Sequence, residues 1–232
     1  DPIVATATAA GRGAIGIVRL SFPERWNEAV LHALFGDQVV RARHAHLYPV
    51  RDENDRVLDH AIVLFFPAPA SYTGESVLEL QVHGGPVLLR MVLRSVLKKC
   101  AFCGMRLARA GEFTERAFLN GRIDLAQAEA VTDLIDAASE TAAQAAQRSL
   151  SGDFSRAVRE VGGELDDVRA YIEAILDFPE EELDPFFFAN LAERLEGVRD
   201  GLSNLLKNAG RGKVLREGIT VALVGSPNVG KW

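Results

Sequence analysis

Cysteine is nearly missing from this 232-residue sequence, positive charge is not in excess, and no long apolar run is present. The two cysteines, Cys100 and Cys103, form a single C-x-x-C. A zinc site would need two further ligands nearby, and the nearest histidine is His83. A thioredoxin-like redox site would place the motif at a helix start after a strand, whereas here it follows a helical stretch. Ordinary thiols in a reducing cytosol are the expectation. The balance of 26 Lys and Arg against 32 Asp and Glu gives a net charge of -6. That argues against binding nucleic acid through a broad basic surface, while leaving room for a local patch or a partner that holds the nucleic acid. Without an apolar run of about 18 residues no spanning helix is expected. The opening DPIVATATAAGRG has no basic region followed by an apolar stretch, so no export signal is expected and the protein is placed in the cytoplasm, without a membrane role.

What is present reads as an α+β chain. Residues 3–8 and 14–20 are short runs rich in Val, Ile and Ala, separated by the turn signal Gly11-Arg12-Gly13. A helix is expected over 26–35, stopping at Gly36, and strands over 44–50 and 57–66 flank the polar turn DENDR. In 76–83 the residues alternate, so Leu78, Leu80 and Val82 fill one face and Glu79 is presented on the other. Gly84-Gly85-Pro86 then leads into a helix over 87–99. From about residue 113 the period changes. Leu125, Ala128, Val131, Ile135, Ala138, Ala142, Ala145 and Ser149 step by three or four, which predicts one long alanine-rich helix ending near Gly152. A second helix passes through Val158, Val161, Leu165, Val168, Ile172 and Ile175 and ends at Pro179. A third passes through Leu191, Leu195, Val198, Leu202 and Leu205 and stops before Gly210. A bundle of long helices follows. Between the second and third lie five carboxylates from Asp177 to Asp184 and three consecutive phenylalanines. Mutual repulsion disfavours a tight metal cage of all five, so a solvated turn with docking aromatics is expected.

The last stretch, ITVALVGSPNVGKW, is a β-branched run entering a glycine-rich turn. The pattern G-x-x-x-x-G-K curls the backbone so that its N–H groups face phosphate oxygens, and the lysine adds a positive charge. Gly225, Ser226, Pro227, Asn228, Val229, Gly230 and Lys231 are therefore candidates for a nucleotide cradle. The hydroxyl residue that would help hold magnesium is replaced by Trp232. The chain as it stands is expected to turn over little nucleotide, and a nucleotide domain is expected to continue beyond it.

The stretches AGRGAIGIVRLS, SYTGESVLELQVHGG, RLARAGEFTERAFLNGRIDLAQAEAVTDLIDA, DFPEEE and LREGITVALVGSPNVGKW occur in this order across the chain. Together they resemble the tRNA modification GTPase family MnmE (TrmE); the FFF run and Trp232 depart from it. The resemblance implies an N-terminal mixed α/β domain over 1–118 that binds tetrahydrofolate and dimerises, the first part of a helical domain over 119–215, and over 216–232 the first strand and P-loop of an inserted Ras-like α/β GTPase domain. It implies a GTP hydrolase that works with the flavin-dependent partner MnmG (GidA), which carries FAD. Together they add an aminomethyl or carboxymethylaminomethyl group to C5 of the wobble uridine of certain tRNAs. The carbon would come from 5-formyl- or 5,10-methylene-tetrahydrofolate, with Mg2+ and K+ serving GTP hydrolysis in a homodimer.

Carried over by position, Arg19 in GIVRL, Glu79 in VLELQ and Arg122 in FLNGRIDL match folate-binding positions, Arg122 standing where lysine is frequent. Arg12 and Arg116 are weaker candidates. Asn228 matches a potassium ligand, residues 225–231 match the GTP cradle, and no catalytic residue falls within the chain. The chemistry is consistent: a glutamate tail suits arginine and a pterin ring offers donors to a carboxylate. Arg19 and Glu79 are equally able to neutralise each other. Two other readings stay open, a folate-binding module related to aminomethyltransferases without GTPase activity, and a GTPase acting as a conformational switch.

Overall fold

The computed structural model describes residues 1–177 and 187–217. It separates into two compact units, Asp1–Asp124 and the part from Leu125 onward. The phosphate-loop residues 225–231, Trp232 and the acidic turn beyond Asp177 lie outside the described residues.

The first unit is a six-stranded mixed sheet in the order β3-β4-β5-β2-β1-β6. Its strands are β1 (Ile3–Thr6), β2 (Ile15–Phe22), β3 (His46–Arg51), β4 (Val57–Phe66), β5 (Ser76–His83) and β6 (Arg106–Leu107). Its helices are α1 (Asn27–Phe35), α2 (Pro86–Lys99) and α3 (Glu112–Leu119). The period of two decides the faces. Val18 and Leu20 of β2 lie opposite Leu80 and Leu78 of β5, and these in turn oppose Val63 and Phe65 of β4. All six are buried with Val30 of α1 and Val92 and Val96 of α2 in one core. Burying each such side chain stabilises the fold by about 1.5–3 kcal/mol before entropy is counted.

Two glycines bring α2 close to the sheet. A Cβ at Gly16 would lie 2.7 Å from Leu89 Cδ2, and one at Gly84 would lie 2.6 Å from the Gly13 carbonyl oxygen. Backbone hydrogen bonds also join Gly84 to the turn before β2, from Gly13 N–H to Gly84 O at 3.2 Å and from Gly84 N–H to Ala14 O at 3.2 Å. Helix α2 starts with Pro86 at its first position, where no N–H is needed, and ends with Lys98 and Lys99, which suit the negative end of its dipole.

The second unit consists of α4 (Leu125–Ile135), α5 (Glu140–Leu150), α6 (Asp153–Asp177) and α7 (Phe187–Glu217). The single long helix expected over 125–149 is broken in two. Ser139 takes an extended conformation and its side chain accepts the Ala142 N–H at 3.2 Å, an N-cap that starts a new helix. The chain then folds back, and Gln127 Nε2 donates to the Leu150 carbonyl at 2.9 Å. Small alanines on both helices permit that return, and the same alanines made the period look continuous. The third helix does not stop before Gly210; its backbone stays helical to Glu217. Glycine costs about 1 kcal/mol in a helix without blocking it as proline does. Helices α6 and α7 run antiparallel, with Val161 beside Gly201 and Asp167 4.0 Å from Arg194. An α+β N-terminal domain followed by a helical domain is the architecture expected from the sequence.

Candidate functional site: an ion pair on the open sheet face

The face of the sheet away from α1 and α2 carries the polar residues. Antiparallel register places Ala5, Arg19, Glu79 and Leu64 in one row across β1, β2, β5 and β4. Directly opposed residues are close enough for side chains to meet. Arg19 Nε donates to Glu79 Oε1 at 2.7 Å. The glutamate side chain is 14% exposed and the arginine 31%. Among the described residues, this is the only hydrogen bond either side chain makes, so both Nη groups of Arg19 and Oε2 of Glu79 have no partner. The Arg19 guanidinium lies 5.9 Å from the Phe113 ring centroid, at the loose end of cation–π range.

Phe113 is there because the residue before it anchors α3. Glu112 is buried, and Arg106 holds it bidentately, Nη1 to Oε2 at 2.8 Å and Nη2 to Oε1 at 2.6 Å. The Arg109 N–H donates to Oε2 at 2.7 Å and Arg116 Nη2 to Oε1 at 3.0 Å. The Arg106 hydrogen bonds, aided by those of Arg109 and Arg116, hold the Glu112 carboxyl far below the usual carboxylate range against the opposing effect of burial. Arg116 continues the chain to Glu75 at 2.8 Å, and Glu75 accepts the Ser21 hydroxyl at 2.7 Å. Ser21 also meets the Thr73 hydroxyl at 2.8 Å. This ties α3 and the loop before β5 to the strand that carries Arg19.

The expected binding residues therefore fall in different surroundings. Arg19 and Glu79 are brought together. Arg122 lies with its stem against Gly74, where a Cβ would approach Arg122 Cγ to 3.2 Å; the neighbouring Thr73 carbonyl accepts Asn120 Nδ2 at 2.7 Å. Its guanidinium makes no ion pair among the described residues. Arg116 is engaged by Glu75, Glu112 and Asp1, and a ligand would have to compete with three carboxylates for it. Arg12 is exposed in the glycine turn. Phe113, Ser21, Thr73, Glu75 and Glu112 were missed as site-building residues. The one signal for them is the density of hydroxyl and acidic residues in SYTGES and GEF, which carries no partner assignment.

Three other features stand apart from the pair. A cleft of about 220 Å3 lies on the α2 side of the sheet, lined by Thr6, Thr8, Gly11, Leu89, Arg90 and Leu93 among others. It is on the opposite face from the Arg19–Glu79 pair, and most of its lining is aliphatic or glycine. His83 Nδ1 lies 2.9 Å from Asp59 Oδ2 at the end of β5, and the His83 N–H donates to the same carboxylate at 2.8 Å. Burial pushes the Asp59 carboxyl up, but these bonds and the His60 N–H together leave it below its usual value. Cys100 and Cys103 are free and buried. Burial pushes the Cys100 thiol up to about 12, and Cys103 Sγ donates to the Cys100 carbonyl at 3.0 Å. Neither presents a reactive thiolate at neutral pH.

Both units have counterparts among known proteins. Residues 2–122 match the family model described as the GTP-binding protein TrmE N-terminus, and residues 125–221 match the MnmE helical domain. The chain belongs to the MnmE (TrmE) family. Proteins named tRNA modification GTPase MnmE are similar along its whole length. That of Cupriavidus pinatubonensis is 50% identical over 230 residues, covering 99% of this chain and 48% of the relative. That of Burkholderia ambifaria is 51% identical over 234 residues, covering 100% and 50%. That of Pseudomonas putida is 51% identical over 231 residues, covering 100% and 49%. The chain thus spans about half the length of the curated relatives it matches. Among the described residues no helix is long and apolar enough to cross a membrane.

Proposed function

We propose that the chain acts as part of a cytoplasmic, homodimeric tRNA modification GTPase. With a flavin-dependent partner of the MnmG (GidA) kind, it adds an aminomethyl or carboxymethylaminomethyl group to C5 of the wobble uridine of certain tRNAs. A tetrahydrofolate supplies the one-carbon unit. Residues 225–231 cradle the GTP phosphates, Asn228 serves K+, and Mg2+ needs a hydroxyl where Trp232 stands. The family membership of both units supports this reading, as does the name shared by relatives aligned over 99–100% of the chain. In it, 1–118 forms the folate-binding and dimerising domain, 119–215 the first part of the helical domain and 216–232 the start of the G domain.

Arg19, Glu79 and Arg122 hold the folate. The observation that carries this is the half-buried Arg19–Glu79 pair on the sheet face away from α1 and α2, with donor and acceptor atoms left unpartnered among the described residues. A reduced folate has the matching chemistry, a ring edge of N–H donors beside a carbonyl and a carboxylate tail. What these residues do is bind and orient; the one-carbon unit supplies the chemistry when folate is present. Calorimetry with 5-formyltetrahydrofolate tests the assignment. Saturable binding at one site per chain is expected. Absence of heat from folded protein, confirmed by an equilibrium method such as dialysis, overturns it.

A further inference from the structure

On the long helices of the second unit, exposed arginines come with carboxylates one turn away. Arg156 lies 3.3 Å from Asp153, Arg169 lies 3.6 Å from Glu173 and 3.7 Å from Asp166, and Arg199 lies 3.9 Å from Glu196. A helix surface neutralises itself in this way. Helix α2 does the opposite. Its sequence, PVLLRMVLRSVLKK, carries four cations and no acid, in a chain whose net charge is -6. Leu89, Val92, Ser95 and Val96 turn inward and are buried. Arg90, Arg94 and Lys98 follow at steps of four, so they form one exposed row, with Val87 and Met91 beside it.

The fold accounts for the end of the row and not for its middle. Lys98 pairs with Glu53 in the β3–β4 turn, and with Lys99 it suits the C-terminal end of the helix dipole. The other acids of that turn are engaged too. Asp55 lies 3.6 Å from Arg51, and Asp52 accepts the N–H groups of Asn54 and Arg56. Arg90 and Arg94 stand in mid-helix and make no ion pair or side-chain hydrogen bond among the described residues. The Lys98 hydrogen bond chiefly holds the Glu53 carboxyl below its usual value, and the charge of Arg94 adds only a small part. Like charges four residues apart weaken a helix, so α2 gains nothing from having both.

Two unpaired guanidinium groups one helical turn apart fit successive phosphates of a polyanion, each able to hold its phosphate bidentately. An anionic bilayer carries phosphates as well. On α2, however, Val87 and Met91 are the large apolar side chains exposed, too few for a helix that buries an apolar face in lipid. Arg90 also borders the cleft of about 220 Å3 between α2 and residues 6–11, a concavity that a bilayer surface does not follow. We infer that the exposed row of α2, through Arg90 and Arg94, is a docking surface for the phosphate backbone of RNA. This rests on the tRNA reading above and adds the place of contact. Confining the contact to one helix face lets a chain of net charge -6 hold RNA without a broad basic surface.

The test is fluorescence anisotropy of an end-labelled tRNA transcript titrated with the chain at KCl concentrations from about 50 to 200 mM. Wild type is compared with the double variant Arg90→Gln/Arg94→Gln, and with Arg156→Gln/Arg169→Gln, which removes the same charge from α6. The α2 variant is expected to bind about 10-fold more weakly at the lowest salt. Its slope of log K against log salt should be flatter by about 1.4–1.8, because each lost phosphate contact releases close to one counterion less. The α6 variant is expected to match wild type. An unchanged affinity and slope in the α2 variant, or equal losses in both variants, overturns the inference. So does stripe-dependent binding to phosphatidylglycerol vesicles with tRNA binding intact, which would assign the row to lipid. Every variant is also titrated with 5-formyltetrahydrofolate, and binding equal to wild type shows that the first unit is folded. Wild-type protein that binds the folate and not the transcript overturns the RNA surface alone. Protein that binds neither overturns the folate reading as well.

Discussion

Replacing Glu112 with glutamine is the most direct probe of what holds α3 beside the Arg19–Glu79 pair. The wild-type carboxylate accepts four close hydrogen bonds, two from Arg106, one from Arg116 and one from the Arg109 N–H, with its side chain only 3% exposed. Glutamine keeps the shape but not the charge, and its NH2 group faces donors it cannot satisfy. Breaking a buried ion pair costs about 3–5 kcal/mol. Arg106 is 38% exposed and can regain water, which lowers the expected loss to about 2–3 kcal/mol. For a unit of this size that lowers its unfolding midpoint by about 6–12 °C. Thermal and urea unfolding followed by Trp26, which packs edge-on against Phe102 in the same unit, reads the loss. The pH dependence provides a second check. Because the folded carboxyl is held below its ordinary value of 4.5, its contribution is fully present above that pH. It wanes as pH falls from there toward the depressed folded value. The gap between wild type and Glu112→Gln should therefore be constant from neutral pH to about pH 5 and narrow in acid. A loss under about 1 kcal/mol, or a gap that does not shrink in acid, would refute the anchoring role.

Three further predictions rest on separate parts of the fold. Gly16→Ala places a methyl 2.7 Å from Leu89 Cδ2 and 3.1 Å from Gly84 Cα, so it should cost about 1–3 kcal/mol in urea unfolding, part of it recovered in combination with Leu89→Ala. A neutral result would mean that α2 shifts freely. Ser139→Ala removes the N-cap of α5 and should destabilise the α4–α5 turn by about 0.5–2 kcal/mol, seen as faster amide exchange over residues 139–143. Unchanged exchange would place the break under other control. Cys100 should resist iodoacetamide at pH 8 in the native state and react on denaturation, because burial suppresses its thiolate. Rapid native alkylation, read by mass spectrometry, would contradict that placement.

Much of the first unit could be read before folding was considered. Short apolar runs mark β2 and β4, β5 alternates with Leu78, Leu80 and Val82 on one face, and Gly84-Gly85-Pro86 marks the start of α2. The two-residue strand β6 could not be read, since its pairing with β1 and not its own composition makes it a strand. Helix α3 was hidden for a related reason: its first residue, Glu112, is a buried charge that only Arg106, Arg109 and Arg116 make tolerable. In the second unit the break at Ser139 was masked by alanines that fit both a continuous helix and a close helical return.

By itself the sequence determined the class of the fold and the family, and it named candidate residues for a folate or a phosphate, because periodicity and motif spacing are local properties. It put Glu79 on the polar face of its strand and left open whether Arg19 would be its neighbour. Strand register decided that, since antiparallel pairing alone sets residue 19 opposite residue 79. Packing of α3 likewise set Arg116, a weaker candidate ligand, between Glu75 and Glu112. Which charges neutralise each other depends on separations of a few ångströms between residues 40 to 60 positions apart. Only the folded sheet with α3 packed against its polar face specifies those separations.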